Sequence, residues 1–230
     1  MKKIPLTIIT GFLGSGKTTL INQILQKNTD LKIALIVNEF GDVALESQFI
    51  TSTDEEIVEM SNGCMCCVVR KDIIETVQGI LKRRPDTDYI IVEASGLSDP
   101  APIAQTFLMN MEDTIRLDSV LCVVDCLNIE ANFEQFEIAM AQIQYADIVL
   151  LSKHQMLDSA MLQRIETLVY KFSPFTRILK ITDDVSLDLL IDTTLSEATT
   201  VKELEKEVIE DCSCEEGCDC GAHHHHHEKC

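Results

Sequence analysis

The sequence predicts an α/β domain with a mostly parallel central sheet flanked by helices, and three observations carry that prediction. Apolar runs bounded by turn residues alternate with helical patterns, as in strand–helix–strand units. Runs such as IALIV, YIIVE and LCVVD are apolar on both faces, as strands inside a parallel sheet must be. The chain has 230 residues, 46% of them hydrophobic, which suffices for one such domain and is too little for two large ones.

Taken in order, the predicted strands are Pro5–Thr10, Lys32–Asn38, Glu56–Met60, Tyr89–Glu93, Ser119–Asp125, Asp147–Leu151 and Arg177–Lys180. Predicted helices are Lys17–Gln26, Val69–Arg83, Pro102–Asn110, Glu134–Gln144 and Ala160–Phe172. The opening MKKIPLTII runs into GFLGSGKTTL with no small-residue cleavage site, so it reads as a buried strand of a cytoplasmic protein. No apolar run approaches the ~20 residues of a membrane span. Composition shifts after about residue 190, which divides the chain into a domain over 1–190, a linker with a terminal helix over 191–210, and a Cys/His-rich disordered tail over 211–230. In the linker, Val201, Leu204 and Val208 recur at helical spacing.

The 19 Lys and Arg face 38 Asp and Glu, a formal charge of -19, so the basic footprint of a nucleic-acid or anionic-membrane binder is missing. Ten Cys would fit a disulfide framework only if they were spread along the chain. Instead three lie in GCMCC, five in the last 19 residues, and Cys122 and Cys126 in an apolar segment, where they read as core thiols. Met109 and Met111 read as gap fillers at a helix end or an interface, and His154 as an incidental loop residue.

Gly11-Phe-Leu-Gly14-Ser15-Gly16-Lys17-Thr18 fits G-x-x-x-x-G-K-[ST] between a predicted strand and a predicted helix. The glycines let backbone N–H groups face a phosphate, and the helix N-terminus adds partial positive charge. Lys17 is positioned to reach the β- and γ-phosphates, and the Thr18 hydroxyl to ligate Mg²⁺. The strand YIIVE ends at Glu93, a carboxylate suited to holding Mg²⁺ through water, and Gly96 follows with an N–H able to sense a γ-phosphate. Ser152-Lys153-His154-Gln155 stands where a G-domain carries [NT]-K-x-D. The Lys153 stem can cover a base, but Gln155 cannot copy a carboxylate that accepts from two guanine N–H groups.

Cys64-Met65-Cys66-Cys67 places three thiols within four residues, where adjacent side chains cannot share one core face. Two or three thiolates completed by a carboxylate or water would hold a soft metal; a redox thiol cluster is the alternative. The tail adds Cys212, Cys214, Cys218, Cys220, His223, His224, His225, His226, His227 and Cys230, ten metal ligands in 19 residues. An expression tag is the bland alternative for the His run.

GFLGSGKTTL, Asn38-Glu39-Phe40-Gly41, Gly63-Cys-Met-Cys-Cys67 and Glu93-Ala-Ser-Gly-Leu-Ser-Asp-Pro100 occur in the order seen in CobW-type GTPases, which the chain resembles over about residues 4–180. These are metallochaperone-like P-loop proteins related to the urease and hydrogenase nickel-insertion GTPases. The resemblance implies a P-loop NTPase fold, slow metal-dependent GTP hydrolysis, and delivery of Zn, Co or Ni to a client metalloprotein or cofactor-synthesis enzyme. It assigns phosphate binding to Gly11–Thr19, including Ser15 and Thr19, the first switch to Asn38–Asp42, and the second to Glu93–Gly96. Cys64, Cys66 and Cys67 bind the transferred metal, Zn²⁺ before Co²⁺ or Ni²⁺. Ser152 and Lys153 fall at the base motif, and a homodimer is implied. Glu39 is the candidate to orient the attacking water and to complete the metal shell. Such proteins usually continue into a smaller second domain, which these 230 residues are expected to be too few to include. Two rival readings are a metal-storage protein acting through its tail and a base-tolerant P-loop enzyme such as a small-molecule kinase.

Overall fold

The computed structural model describes residues 3–27, 31–39, 56–61, 68–111 and 113–182; the side chains of 38, 39, 56–61 and 68–72 lie outside that description. In chain order the elements are β1 (Ile4–Thr10), α1 (Lys17–Lys27), β2 (Ile33–Glu39), β3 (Glu56–Ser61), α2 (Val68–Arg83), β4 (Tyr89–Ala94) and α3 (Pro100–Asn110). There follow β5 (Ile115–Asp125), α4 (Ile129–Gln135), α5 (Glu137–Gln144), β6 (Ile148–Ser152), a short 3₁₀ turn (His154–Met156), α6 (Ser159–Phe172) and β7 (Arg177–Lys180). All described residues fall within the unit Met1–Ser196; a second unit, Glu197–Cys230, lies outside them, as do the predicted linker helix and the tail.

The seven strands form one sheet in the order β3-β2-β4-β1-β5-β6-β7, with every pairing parallel. Alternation along each strand sends side chains to two cores. Leu6 and Ile8 of β1 pack with Ile73, Val77 and Ile80 of α2 and Ile103 and Phe107 of α3. Ile9 faces the other way, with Leu20, Ile21, Ile24 and Leu25 of α1. Cys122, Val124, Val149 and Leu151 meet Ile143 of α5 and Ile165 and Val169 of α6. The β1-to-β2 connection, through α1, runs along the sheet against the direction of the crossovers that carry α2, α3, α5 and α6. Right-handed crossovers therefore leave α1 on the opposite face from α2, α3, α5 and α6.

All seven predicted strands are present, with two local differences elsewhere. The single helix expected over Glu134–Gln144 is two helices, because Phe136 is extended (φ -137, ψ 108) and both ends α4 and begins α5. Its ring lies 4.8 Å, centroid to centroid, from Phe12, and this tertiary contact overrides the local helical pattern. Strand β5 begins four residues earlier than Ser119, at Ile115. The extension contains polar Arg116 and Asp118, which the apolar pattern does not predict.

Asp118 has no exposure, and it is held by a buried polar chain that crosses three strands. Tyr89 Oη of β4 donates to Asp118 Oδ2 at 2.7 Å. Thr7 Oγ1 of β1 lies 2.7 Å from Tyr89 Oη and 3.2 Å from Ser119 Oγ of β5. A phenol has one proton, so Thr7 donates to Tyr89 and Ser119 donates to Thr7. Arg116 closes the chain with an ion pair to Asp118 Oδ1 at 2.8 Å. Between Leu6 and Thr7 the β1–β5 register shifts, from Leu6↔Leu117 to Thr7↔Ser119, which leaves Asp118 as the extra residue.

Candidate nucleotide-binding site

The loop from Gly11 to Gly16 joins the C-terminal end of β1 to the first turn of α1. At Gly11 (φ +139) a Cβ would stand 2.2 Å from the Val123 carbonyl oxygen of β5, so only glycine lets the chain turn there. Lys17, 5% exposed, donates from Nζ to the Gly11 carbonyl at 3.0 Å and more weakly to Phe12 at 3.5 Å. The amine thereby folds back onto the carbonyls at the start of the loop. Ser15 Oγ is buried with no hydrogen-bond partner among the described residues. These features fit a bound phosphate: a cation, helix-terminal N–H groups and a spare hydroxyl belong to one short loop.

The end of β4 completes the phosphate side. Glu93, 1% exposed, accepts from Thr18 Oγ1 at 3.2 Å, so the predicted pair of Mg²⁺ residues is in contact. A hydroxyl and a carboxylate from adjoining elements are the hard oxygen donors such an ion takes. Past Ala94 the chain turns, with Ser98 N and Oγ both donating to the Ser95 carbonyl at 3.0 and 2.9 Å. Gly96 packs directly on the phosphate loop, where an added Cβ would lie 2.6 Å from Leu13 Cδ2 and 2.9 Å from Leu13 N. Gln142 of α5 donates from Nε2 to the Gly96 and Ser98 carbonyls, both at 3.1 Å.

The segment expected to meet the base follows β6. Ser152 Oγ donates to the Ser15 carbonyl at 2.7 Å and lies 3.1 Å from that of Val124, tying this loop to the phosphate loop. Lys153 adopts the left-handed conformation (φ 56). Its Nζ donates to the Gly14 carbonyl at 3.1 Å and pairs with Asp125 Oδ2 at 2.7 Å. Asp125, 5% exposed, also accepts from Asn128 Nδ2 (2.7 Å) and Leu127 N (2.9 Å). Burial works to raise its carboxyl, but the bonds from Lys153, Asn128 and Leu127 outweigh that and hold it below its usual value. Gln155 Nε2 donates to the Ile181 carbonyl at 3.1 Å, and a His154 ring nitrogen lies 2.9 Å from the same oxygen.

Gly11, Gly14, Ser15, Gly16, Lys17, Thr18, Glu93, Gly96, Ser152 and Lys153 thus meet at one edge of the sheet, and Thr19 is exposed in the first turn of α1. Glu39 ends β2, but its side chain lies outside the described residues, as do Cys64, Cys66, Cys67 and all ten tail ligands. Among the described residues no group of three or more His, Cys, Asp or Glu could hold a metal, and no helix is long and apolar enough to cross a membrane. Cys122 and Cys126 are buried free thiols; burial pushes them up to about 12 and about 11, so neither is a ready ligand. Met111 is buried beyond α3, whereas Met109 is 80% exposed.

The sequence reading missed two residues. Asp125 had a signal, since LCVVD ends in an acid just as YIIVE does. Gln142 had none, because nothing local distinguishes a helix glutamine that faces inward. A cavity of about 620 Å³ lies at the opposite, N-terminal edge of the strands, between Arg116, Asp118, Tyr145 and Asp147, and does not join the phosphate site.

Comparison with known proteins gives a consistent result. Residues 5–180 match the family described as CobW/HypB/UreG, nucleotide-binding domain. A zinc-regulated GTPase metalloprotein activator of Dictyostelium discoideum is 33% identical over 223 residues, covering 80% of this chain and 47% of that protein. The zinc chaperone YjiA of Escherichia coli is 34% identical over 200 residues, covering 84% and 62%. The crystal structure of Zn(II)-bound YjiA GTPase superposes with a TM-score of 0.64 at 26% identity, covering 90% of this chain and 70% of that one. The chain therefore spans about half to three fifths of the length of these two curated relatives.

Proposed function

Since the chain belongs to the CobW/HypB/UreG family and carries its nucleotide-binding domain, we propose that it binds and hydrolyses GTP and uses that cycle to deliver a transition metal to a client protein or cofactor pathway. The observation that carries the reading is one continuous arrangement: phosphate loop, Thr18–Glu93 pair and Ser152–Lys153 loop are bonded to one another at a single sheet edge. Zinc is the proposed cargo, ahead of cobalt or nickel, because the curated relatives are named for zinc.

In the proposed reaction water attacks the γ-phosphorus and GDP leaves. Lys17 and the loop N–H groups neutralise charge on the β- and γ-oxygens. Gly96 N–H contacts the γ-phosphate, and Glu39 orients the water. Mg²⁺, held by Thr18 and Glu93, would add positive charge beside the same oxygens. Lys153 covers the base, with Ser152 fixing its loop.

Cys64, Cys66 and Cys67 are proposed to hold the cargo metal, with Glu39 as a further ligand. Sheet register supports the pairing of the two: Glu39 at the end of β2 lies opposite Ser61 at the end of β3, and the Cys run follows three residues later. Metal and γ-phosphate then bias one switch, and each alters the other's affinity by the same factor. The chain acts as a cytoplasmic homodimer in this reading, and the tail acquires or stores metal.

The test is hydrolysis of GTP and ATP with Zn²⁺, Co²⁺ and Ni²⁺ titrated separately, in the wild type and in Cys66→Ala/Cys67→Ala. GTP-selective turnover that responds to one metal and loses the response in the double variant is expected. A metal response unchanged by the double variant refutes the assignment. The ten ligands of the tail favour a second reading, metal storage, which requires several metals per chain bound without regard to nucleotide.

A further inference from the structure

Gln142 is an amide with 1% exposure on α5. Both its N–H bonds go to one loop. Nε2 donates to the carbonyls of Gly96 and Ser98, each at 3.1 Å. Gly96 is meanwhile pressed on Leu13, so closely that no side chain fits between them. The turn is therefore held twice, by packing on Leu13 of the phosphate loop and by the two bonds from Gln142. The peptide planes through the Gly96 and Ser98 carbonyls are oriented from α5, a rigid element, rather than by the turn itself.

Gln142 Oε1 is also buried and has no hydrogen-bond partner among the described residues. A buried acceptor left without a donor is costly, and it gains whenever a neighbouring N–H turns toward it. A rotated peptide in the Gly96–Ser98 turn would supply such an N–H while releasing one carbonyl from Nε2. The one side chain thus has bonds to offer in two settings of the turn.

We propose that Gln142 is a positioning residue for GTP hydrolysis, which clamps the Gly96–Ser98 turn and sets how its backbone meets the γ-phosphate. The inference rests on the reading of Glu93–Gly96 as the second switch. It assigns Gln142 no contact with substrate. Its loss should therefore lower kcat and leave GDP affinity, which depends on Gly11–Thr19 and Lys153, nearly intact.

The experiment uses the full chain in two parts. Gln142→Met keeps length and bulk but donates nothing; kcat should fall about 10- to 100-fold, the usual cost of a reacting group displaced by about 1 Å, with GDP affinity within about threefold. Gln142→Glu donates only when protonated, so its kcat should fall as pH rises through the carboxyl's titration, a limb absent from the wild type. Unchanged kcat in Gln142→Met, loss of GDP affinity in step with kcat, or a Glu variant with the wild-type pH profile overturns the proposal. If Gln142→Met does not melt cooperatively, the Glu profile decides.

The second part separates this inference from the reading beneath it. The sequence has no Trp, so Leu97→Trp, at a position 49% exposed beside Gly96, gives a single tryptophan that can be excited apart from the three Tyr. Its emission should differ between GDP and a non-hydrolysable GTP analogue, and adding Gln142→Met should abolish the difference. No difference with Gln142 intact defeats the second-switch reading and the proposal together. An equal difference in both backgrounds defeats the proposal alone.

Discussion

Breaking the Asp125–Lys153 pair tests whether the base side of the site is preorganised. Asp125 is almost fully buried, while the Lys153 side chain is 40% exposed, and their atoms meet at 2.7 Å. A charge-assisted bond of that length is worth about 1.5–3 kcal/mol when both groups are dry. Exposure of Lys153 to water pulls the value toward the ~0.2–1 kcal/mol of surface pairs. A coupling of about 1 kcal/mol is expected, a factor of roughly five in an equilibrium constant. The assay is a double-mutant cycle of Asp125→Asn and Lys153→Met, read both in thermal unfolding and in GDP affinity by calorimetry. The contacts of Asp125 with Leu127 and Asn128, and of Lys153 with Gly14, cancel in the cycle. The folded-state carboxyl lies below its usual value, so its contribution is full above the unfolded value near pH ~3.9 and is lost as pH falls through the folded one. The penalty of Asp125→Asn should therefore be present at pH 7 and shrink below about pH 4. Coupling under about 0.5 kcal/mol in both readouts refutes the claim that Asp125 holds Lys153 over the base.

Gly11→Ala should destabilise the domain by about 3 kcal/mol, from strain at positive φ and the clash with Val123. Gly14→Ala, with nothing within 4 Å but φ +68, should cost only about 1–2 kcal/mol in the same melting experiment. Gln155→Asp should raise the preference for GDP over IDP, which lacks the guanine amino group, by about 1–3 kcal/mol; an unchanged ratio in competition binding would place Gln155 away from the base. Native protein at pH 8 should leave Cys122 and Cys126 unalkylated by iodoacetamide, because burial pushes their thiols up to about 12 and about 11. Mass spectrometry after brief labelling checks this, and rapid modification at either position would contradict the packing described.

The fold was legible because burial writes itself into a parallel sheet: YIIVE and LCVVD are apolar at every position that two flanking layers cover. The phosphate loop was legible because its glycines are demanded by the backbone itself, Gly11, Gly14 and Gly16 all lying at positive φ. The break at Phe136 was not, since it is set by a ring 124 residues away, at Phe12, and no local residue forbids a continuous helix. The early start of β5 escaped for a similar reason. Asp118 reads as a turn residue until Tyr89 and Arg116, one of them from another strand, are seen to satisfy it. Gln142 is the clearest case of information absent from the local pattern, because its role is defined by two carbonyls more than forty residues upstream.

The buried chain from Ser119 through Thr7 and Tyr89 to Asp118 lies far from the phosphate loop, yet it acts as a levelling datum for it. Those residues sit on β5, β1 and β4, the three strands whose C-terminal ends carry Asp125, lead into the phosphate loop and carry Glu93. Parallel strands tolerate sliding poorly when a hydroxyl on each must meet its neighbour, and one residue of slip is a displacement of about 3.3 Å. Such a slip is as large as the whole Thr18–Glu93 separation of 3.2 Å. The heights at which three separate chain segments arrive at the nucleotide are thus gauged at the opposite end of the sheet, by groups that never approach it. A lesion there would be felt as misalignment among otherwise intact parts, and would escape any inspection confined to the loops themselves.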